Sequence, residues 1–317
     1  MSTLPETTSR STGGVSFSGH ETFVCRYGWL KKAVDALMKN PQAFVEDTAM
    51  VDLGVGKNMV RSIRHWALAT NVIEEVPGKR GAELRASPLG TLLLAEGGTD
   101  QYLEDPNSLW LLHWQLATNE RRATTWAWAF SLLRNHEFTR DALVGLVQAE
   151  LRRRSFGLPS EHSLRRDVDV FVRTYVPARR AAVLEDSLEC PLTELGLLGE
   201  DDVSGVVQFN AGFHRTLGMP VFVYALLEFW QRSAPGRETL AFSEIAYGYA
   251  SPGVAFKLDE NSLTERLERL EQATDGSLVY ADTAGIRQVY QRGGPMEGIA
   301  VLSHYYADAD NGILVEG

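Results

Sequence analysis

Cysteine is scarce in this chain of 317 residues, where only Cys25 and Cys190 occur. Two thiols cannot build a disulfide framework or a cysteine-rich zinc site, and such sparse use fits a reducing cytoplasm, the expected location. Long apolar runs are missing as well. No stretch approaches the roughly 20 residues of a membrane-crossing helix, so no membrane partner is expected. The first residues, MSTLPETTSRSTGG, are rich in Ser, Thr and Gly and hold no apolar segment, which predicts a disordered tail over 1–14 and not a signal peptide. The common catalytic signatures are absent too. There is no GxxxxGK[ST], because Gly54-Val55-Gly56-Lys57 has neither the spacing nor the following hydroxyl, and no HExxH, CxxC or GxSxG occurs. Those absences remove P-loop hydrolysis, common zinc hydrolysis and a lipase-type serine nucleophile.

What the chain does hold is a well-stocked core and an uneven charge. Hydrophobic residues make up 44%, with seven Trp and thirteen Phe, enough for two or three domains. A formal net charge of -10 argues against nucleic acid, but its distribution reverses that argument. Up to residue 181 there are 23 Lys and Arg against 20 Asp and Glu; beyond it there are 8 against 21. A near-neutral half with local basic clusters can still meet a phosphate backbone, while an acidic half limits non-specific binding.

The basic clusters fall in a patterned segment, Val51–Leu94. After the Gly54–Gly56 turn, Met59, Val60, Ile63, Ala67 and Leu68 recur at helical spacing and face a core. Lys57, Arg61 and Arg64 share another face, with Asn58 beside them. Pro77-Gly78-Lys79-Arg80-Gly81 reads as a turn between two short extended segments. This is the layout of a winged helix-turn-helix: cationic side chains for phosphates and an amide able to read a base edge. A solvated charged helix of a protein-interaction module carries the same pattern.

Elsewhere, Val15–Phe23 reads as extended and Tyr27–Met38 as a helix. Trp110, Trp114, Trp126 and Trp128 crowd two helices that read as buried core in preference to a cofactor box. Phe138–Glu150 and Ser163–Tyr175 are amphipathic helices, with Thr139 a cap for the first and Arg179 and Arg180 in a connector after the second. The last third predicts a strand over Ser204–Asn210 and helices over Val221–Gln231, Phe242–Gly248 and Asn261–Gln272. A hairpin of Ser277–Tyr280 with Arg287–Tyr290 completes a second winged-helix-like unit. There Glu265, Glu268 and Glu271 outweigh Arg266 and Arg269, which suits a scaffold or a docking surface better than DNA. The expected fold is mainly α with small β-hairpins (α+β): a winged helix over 15–100, a Trp-rich helical region over 101–181, and an acidic region with the winged-helix-like unit over 182–317.

Three polar clusters are candidates for chemistry. His20, Glu21 and Arg26 can serve as general base, metal-binding carboxylate and phosphate clamp, although Ser18-x-x-Glu21 also matches a helix capping box. Asp167 and Asp169, two apart on a helix, point in different directions and would not clamp one metal by themselves. Asp169 also stands at ion-pair spacing from Arg165 and from Arg173. Lys257, Asp259 and Glu260 read as an acidic helix start.

Seven motifs carry a family resemblance: FSGHETFVCRYGWLKK, LGVGKNMVRSIRHWA, YLEDPNSLWLLHWQLATN, RRDVDVFVRTY, CPLTELGLL, FKLDENSLTERLERLE and AGIRQVY. Spanning Phe17 to Tyr290, they resemble a bacterial family long catalogued as a domain of unknown function. Its members are encoded beside phosphoadenosine-phosphosulfate-reductase-like genes, and it includes the SspB component of Ssp-type DNA phosphorothioation. The resemblance implies a DNA-binding protein that nicks one strand so that sulfur-transfer and ATPase companions can act. Mg²⁺ or Mn²⁺ would be its cofactor and a homodimer is among the assemblies expected. Glu21 and Asp169 are the expected metal ligands, and His20, Glu21, Arg26, Asp167 and Asp169 the catalytic candidates. Two rival readings stay open: a non-catalytic adaptor that presents DNA to those companions, and a pure protein-interaction scaffold.

Overall fold

A computed structural model describes residues 14–46, 48–177, 190–294 and 296–310, with the side chains of 308–310 left out of account. The predicted tail, apart from Gly14, and the Arg179/Arg180 connector lie outside the described residues.

The chain opens with an irregular segment and then α1 (Tyr27–Lys39), whose Trp29, Leu30, Ala33, Val34 and Leu37 form one buried stripe. α2 (Ala49–Leu53) ends at Gly54, which takes a left-handed φ of 64° as its C-cap. Only glycine does so without strain, so the chain turns there and re-enters a helix at once. That helix is α3 (Lys57–Ala69), with Val60, Ile63, Ala67 and Leu68 inside as the periodicity predicts. β1 (Ile73–Glu75) and β2 (Leu84–Ala86) then pair antiparallel, Ile73 opposite Ala86 and Glu75 opposite Leu84. α4 (Pro88–Leu94) starts at a Ser87 cap whose side chain accepts from the Gly90 amide at 3.0 Å. A Cβ on Gly90 would collide with the Val72 carbonyl, so the glycine lets α4 sit directly on the strand entrance.

The middle of the chain is its most buried part. α5 (Pro106–Thr118) buries every residue from Ser108 to Ala117, and α6 (Thr124–Leu132) every residue from Thr124 to Ser131. Helices that are apolar all round have no face to offer water and become the centre of the molecule. Trp110, Trp114, Trp126 and Trp128 are all fully buried, which makes them core. β3 (Glu137–Phe138), α7 (Arg140–Arg153) and α8 (Glu161–Tyr175) follow, with Thr139 capping α7 through the Ala142 amide.

A 3-10 turn over Pro191–Leu195 leads into β4 (Leu198–Glu200) and β5 (Val207–Phe209). β5 pairs with both β4 and β3, so this sheet reaches back to the strand before α7. α9 (Met219–Ser233), β6 (Thr239–Ala241), α10 (Phe242–Tyr247), α11 (Pro252–Ala255), α12 (Glu260–Glu268) and α13 (Leu270–Ala273) lead to the hairpin of β7 (Leu278–Thr283) and β8 (Ile286–Gln291). The predicted single helix over Asn261–Gln272 is therefore two, broken at Arg269. α14 (Gly298–Asp310) closes the described chain. The result is a mixed α+β fold with small antiparallel sheets of two and three strands. One hydrophobic cluster runs through it from Cys25 to Tyr306. Among the described residues no helix is long and apolar enough to cross a membrane.

Candidate nucleic-acid interface

Val15–Phe23 is not extended as its sequence suggested: it turns sharply, with Ser18, Glu21 and Thr22 at φ of 60°, 49° and 70°. Three non-glycine residues in the left-handed region within five positions carry strain of order 1 kcal/mol each, so their surroundings must hold them there. The capping-box reading fails as well, because α1 starts later, at an Arg26 N-cap without a side-chain cap bond.

What holds the turn is buried polar chemistry. Asp167, on the inner face of α8, accepts from the Ser18 amide at 2.6 Å and from His20 Nε2 at 2.8 Å through one oxygen; the other accepts from the Thr125 hydroxyl of α6. The Thr22 amide donates to His20 Nδ1 at 3.1 Å, so Nδ1 is the unprotonated nitrogen and Nε2 carries the proton given to Asp167. Ser62 on α3 donates to the His20 carbonyl at 2.9 Å, Trp66 Nε1 to the Phe23 carbonyl at 3.1 Å and Arg173 Nη2 to the Thr22 carbonyl at 2.9 Å. His20 and Asp167 are each 1% exposed. Both imidazole nitrogens are engaged, and neither side chain touches solvent. The pair is built as a latch between the turn, α6 and α8.

His65 of α3 completes the packing. A Cβ on Gly19 would collide with His65 Nδ1, which is why glycine stands there. Burial, with the nearby His20 adding to it, pushes the His65 imidazole down to about 3, so the ring is neutral. Its Nε2 is buried with no hydrogen-bond partner among the described residues. Sequence reasoning missed Gly19, His65 and Thr125 here, and gave Arg173 only an ion pair with Asp169. The only available signal was that Gly19 and His20 sit in the same short motif.

The other candidates lie outside this latch. Glu21 Oε1 stands 3.3 Å from Arg61 Nη1. Arg26 lies with its guanidinium 5.3 Å from the Trp29 ring centroid. Asp169 is exposed, on the opposite side of α8 from Asp167, as their spacing required. Its expected ion pairs with Arg165 and Arg173 do not form. Asp169 takes Arg140 at 3.0 Å, Arg165 turns to Glu161 and Asp141, and Arg173, which donates to the Thr22 carbonyl, meets the Asp169 backbone carbonyl at 3.4 Å instead of its carboxylate. Arg140 reaches across because its guanidinium is shared with Glu200, an anchor that a lone i, i+4 partner cannot match.

The basic face divides into outward and inward members. Lys57 and Asn58, in the first turn of α3, and Lys79 and Arg80, in the loop between β1 and β2, are exposed. Arg61 is outward, its side chain 56% exposed despite the contact with Glu21. Lys79 leans on Glu83 at 3.1 Å. Arg64, expected to point outward, is turned in: its Nη2 donates to the Gly81 carbonyl at 3.2 Å. Burial and the neighbouring Arg122 lower its pKa, and Glu75 opposes them. It thus braces the loop from α3 and does not join the outward set. Position i+7 lies where α3 meets its own hairpin, and the sequence pattern alone does not reveal that.

Among the described residues no three His, Cys, Asp or Glu side chains converge in a way that could hold a metal ion. Glu21 and Asp169 sit with separate arginines. An all-protein metal cage does not fit these residues, whereas a hydrated Mg²⁺ asks for only one or two carboxylates.

Comparison with curated proteins gave no match. Among solved structures, a chain described as a magnesium ion-bound SspB crystal structure is 32% identical, with a TM-score of 0.82 over 96% of this chain and 90% of that one. A second, described as an SspB crystal structure, is 31% identical with a TM-score of 0.80 over the same shares. Residues 17–306 match the family described as "Protein of unknown function (DUF4007)". The chain belongs to this family, as the motifs from Phe17 onward implied.

Proposed function

We propose that this protein is the duplex-DNA-engaging component of an Ssp-type phosphorothioation system. In this reading Gly54–Ala86 works as a winged helix-turn-helix, with α3 presented to the major groove and the β1–β2 loop as the wing. The observation that carries it is the set of exposed donors that this unit holds: Lys57 and Asn58 on α3, and Lys79 and Arg80 on the loop. The first turn of α3 adds unpaired backbone amides and the positive end of the helix dipole, which favour phosphate. Arg61 joins when a phosphate replaces Glu21, and Arg64 holds the loop. The likeness to SspB supports this pathway, and the family resemblance implies sulfur-transfer and ATPase proteins as companions.

Binding should therefore be salt-dependent, with a log–log slope that falls by about 0.9 for each phosphate contact removed. Lys57→Ala and Arg80→Ala are expected to lower the slope by that amount each, measured by fluorescence anisotropy from low to moderate salt. An unchanged slope in both variants refutes this docking face.

A second reading, strand nicking, is favoured by one observation: a similar SspB structure is described as magnesium ion-bound. Here Glu21 and Asp169 are the carboxylates able to hold hydrated Mg²⁺, and the ion would supply Lewis-acid charge stabilisation to phosphodiester hydrolysis. Arg26 would clamp a phosphate. His20 and Asp167, closed off from solvent, would position Glu21 and not touch the DNA. Plasmid relaxation that requires Mg²⁺ and is lost in Glu21→Gln or Asp169→Asn supports nicking. Tight binding without relaxation under any metal leaves the protein an adaptor.

A further inference from the structure

We propose that a polar cleft on the side of the molecule formed by the exit of α3, the end of α5 and α9 is a nucleotide-binding subsite. The cleft has a volume of about 420 Å³ and is lined by Asn71, Gln115, Asn119, Glu228, Gln231 and Arg232, together with Thr118. That volume lies within the range of small-molecule sites. Its lining differs from an ordinary surface dent in two respects.

First, the floor is rigid. Glu228 Oε2 accepts from Trp114 Nε1 at 2.6 Å and from Gln115 Nε2 at 3.2 Å, and Oε1 accepts from the Tyr224 hydroxyl at 2.7 Å. Asn119 is clamped as well, its amide donating to the Ala69 carbonyl at 3.0 Å. Arg232 donates Nη2 to the Ala250 carbonyl at 2.7 Å and stacks 5.8 Å from the Trp114 ring centroid, so its remaining nitrogens are held in one place. Second, two carboxamides over that floor, Asn71 and Gln231, have no hydrogen-bond partner among the described residues. Asn71 is presented by a left-handed backbone, φ 55°, where the chain leaves α3.

A pre-oriented guanidinium suits a phosphate group. Carboxamides offer a donor and an acceptor side by side, the pattern that pairs with adenine N7 and N6. Glu228 spends its oxygens on the floor and is thereby kept from competing for the guanidinium by direct contact. The chemistry is that of one nucleotide, purine edge toward Asn71 and Gln231 and phosphate toward Arg232. It comes either from DNA, as an unpaired residue next to the β1–β2 unit, or from a free mononucleotide. The proposal rests on the DNA reading for the first source only.

The full chain is titrated with dAMP, with deoxyadenosine and with inorganic phosphate, following side-chain amide signals by NMR. Asn71→Gly removes the carboxamide while keeping a backbone that glycine adopts freely, and Gln231→Ala trims an exposed side chain. The expected result is saturable dAMP binding that shifts the Asn71 and Gln231 amides. It should weaken roughly three- to tenfold in each variant, the loss of one hydrogen bond, with the melting temperature unchanged. Phosphate alone should not reproduce it. No saturable dAMP binding, or binding that both variants leave intact, overturns the subsite. A parallel titration compares a fully paired duplex with one bearing a single bulged adenine. A preference for the bulge that both variants abolish identifies DNA as the source, and dAMP binding without that preference identifies the free nucleotide. Loss of all duplex binding alongside intact dAMP binding would refute the DNA reading and leave the cleft standing.

Discussion

The chain carries the same local succession twice, a helix followed by an antiparallel hairpin, and puts opposite charges on the two. In the first, α3 sends Lys57, Asn58 and Arg61 outward before β1 and β2. In the second, α12 and the residues after it send out Glu265, Glu268 and Glu271 before β7 and β8. The buried ties nearby differ as well. Beside the first unit, the turn that Ser62 and Trp66 of α3 hold is fixed by an acid, Asp167 of α8, which gathers the Ser18 amide, the His20 imidazole and the Thr125 hydroxyl. The second is tied by a base. Arg266, 1% exposed, donates to the Leu217 and His214 carbonyls at 2.8 and 2.9 Å with Phe213 and Phe222 against its guanidinium. Burial brings Arg266 down to about 10, which leaves it charged. A similar backbone plan thus bears a basic outer face in one place and an acidic outer face in the other. Helix succession says little about what a unit binds; the side chains on its outer face decide.

Among single substitutions, breaking the ties should give the largest effects. Asp167→Ala strips three donors of their acceptor in a site without water access. An uncompensated set of this kind costs about 3–5 kcal/mol in urea unfolding. Arg266→Met keeps the apolar stem and abandons two carbonyls, and should cost about 2–3 kcal/mol. If Arg266→Met proves the costlier, the strained Ser18–Thr22 turn is held by packing on His65 and Trp66 more than by the carboxylate.

Acid acts on the whole fold, because two buried rings add to its effect. Burial pushes His65, on the inner side of α3, down to about 3, with His20 adding to the shift. Burial also brings His113, in the central helices, to about 3, against the raising effect of its bond to the Ala255 carbonyl. In the unfolded chain each takes up its proton near 6.5. Between those values the unfolded state binds more protons. Stability is therefore full above about pH 6.5 and falls toward pH 3 by roughly 1.4 kcal/mol per unit for each ring. Urea midpoints from pH 7 to 4 measure the sum, and His65→Gln should remove about half of the slope. A midpoint that does not move over this range shows that both rings protonate in the folded protein.

How much of this was legible from the residues depends on whether the cause was local. The turn at Gly54, the buried stripe of α3, the Thr139 cap and the Asp259 cap, which accepts from the Ser262 amide at 2.7 Å, each arise within a few positions and were read correctly. The four tryptophans of α5 and α6 were read as core because nothing else could shield them. The misreadings share another cause. Ser18–Thr22 looked extended and Glu21 looked like a capping residue because the group that shapes the turn, Asp167, is 149 positions from Ser18. Arg64 looked exposed because the Gly81 carbonyl that captures it lies across the hairpin. Asp169 chose Arg140 over two arginines at ideal helical spacing because Glu200 already positions that guanidinium. The cleft at Arg232 draws on residues from 71 to 232, so no window of sequence contains it.

The smallest effect tests the outer faces directly. Glu265→Lys with Glu268→Lys gives α12 an outward charge like that of α3 and leaves the hydrogen bonds of Arg266 in place. If the first unit alone meets the duplex, the added lysines lie away from it. Duplex affinity should then change less than about twofold, with the salt slope unaltered, since only a lysine close to phosphate releases a counterion. Lys57→Ala should still reduce the slope by about 0.9 in this background, because distant sites act independently. A slope that rises by one or two units in the charge-reversed protein would mean that the C-terminal unit already lies along the DNA. Its glutamates would then be acting to weaken that contact.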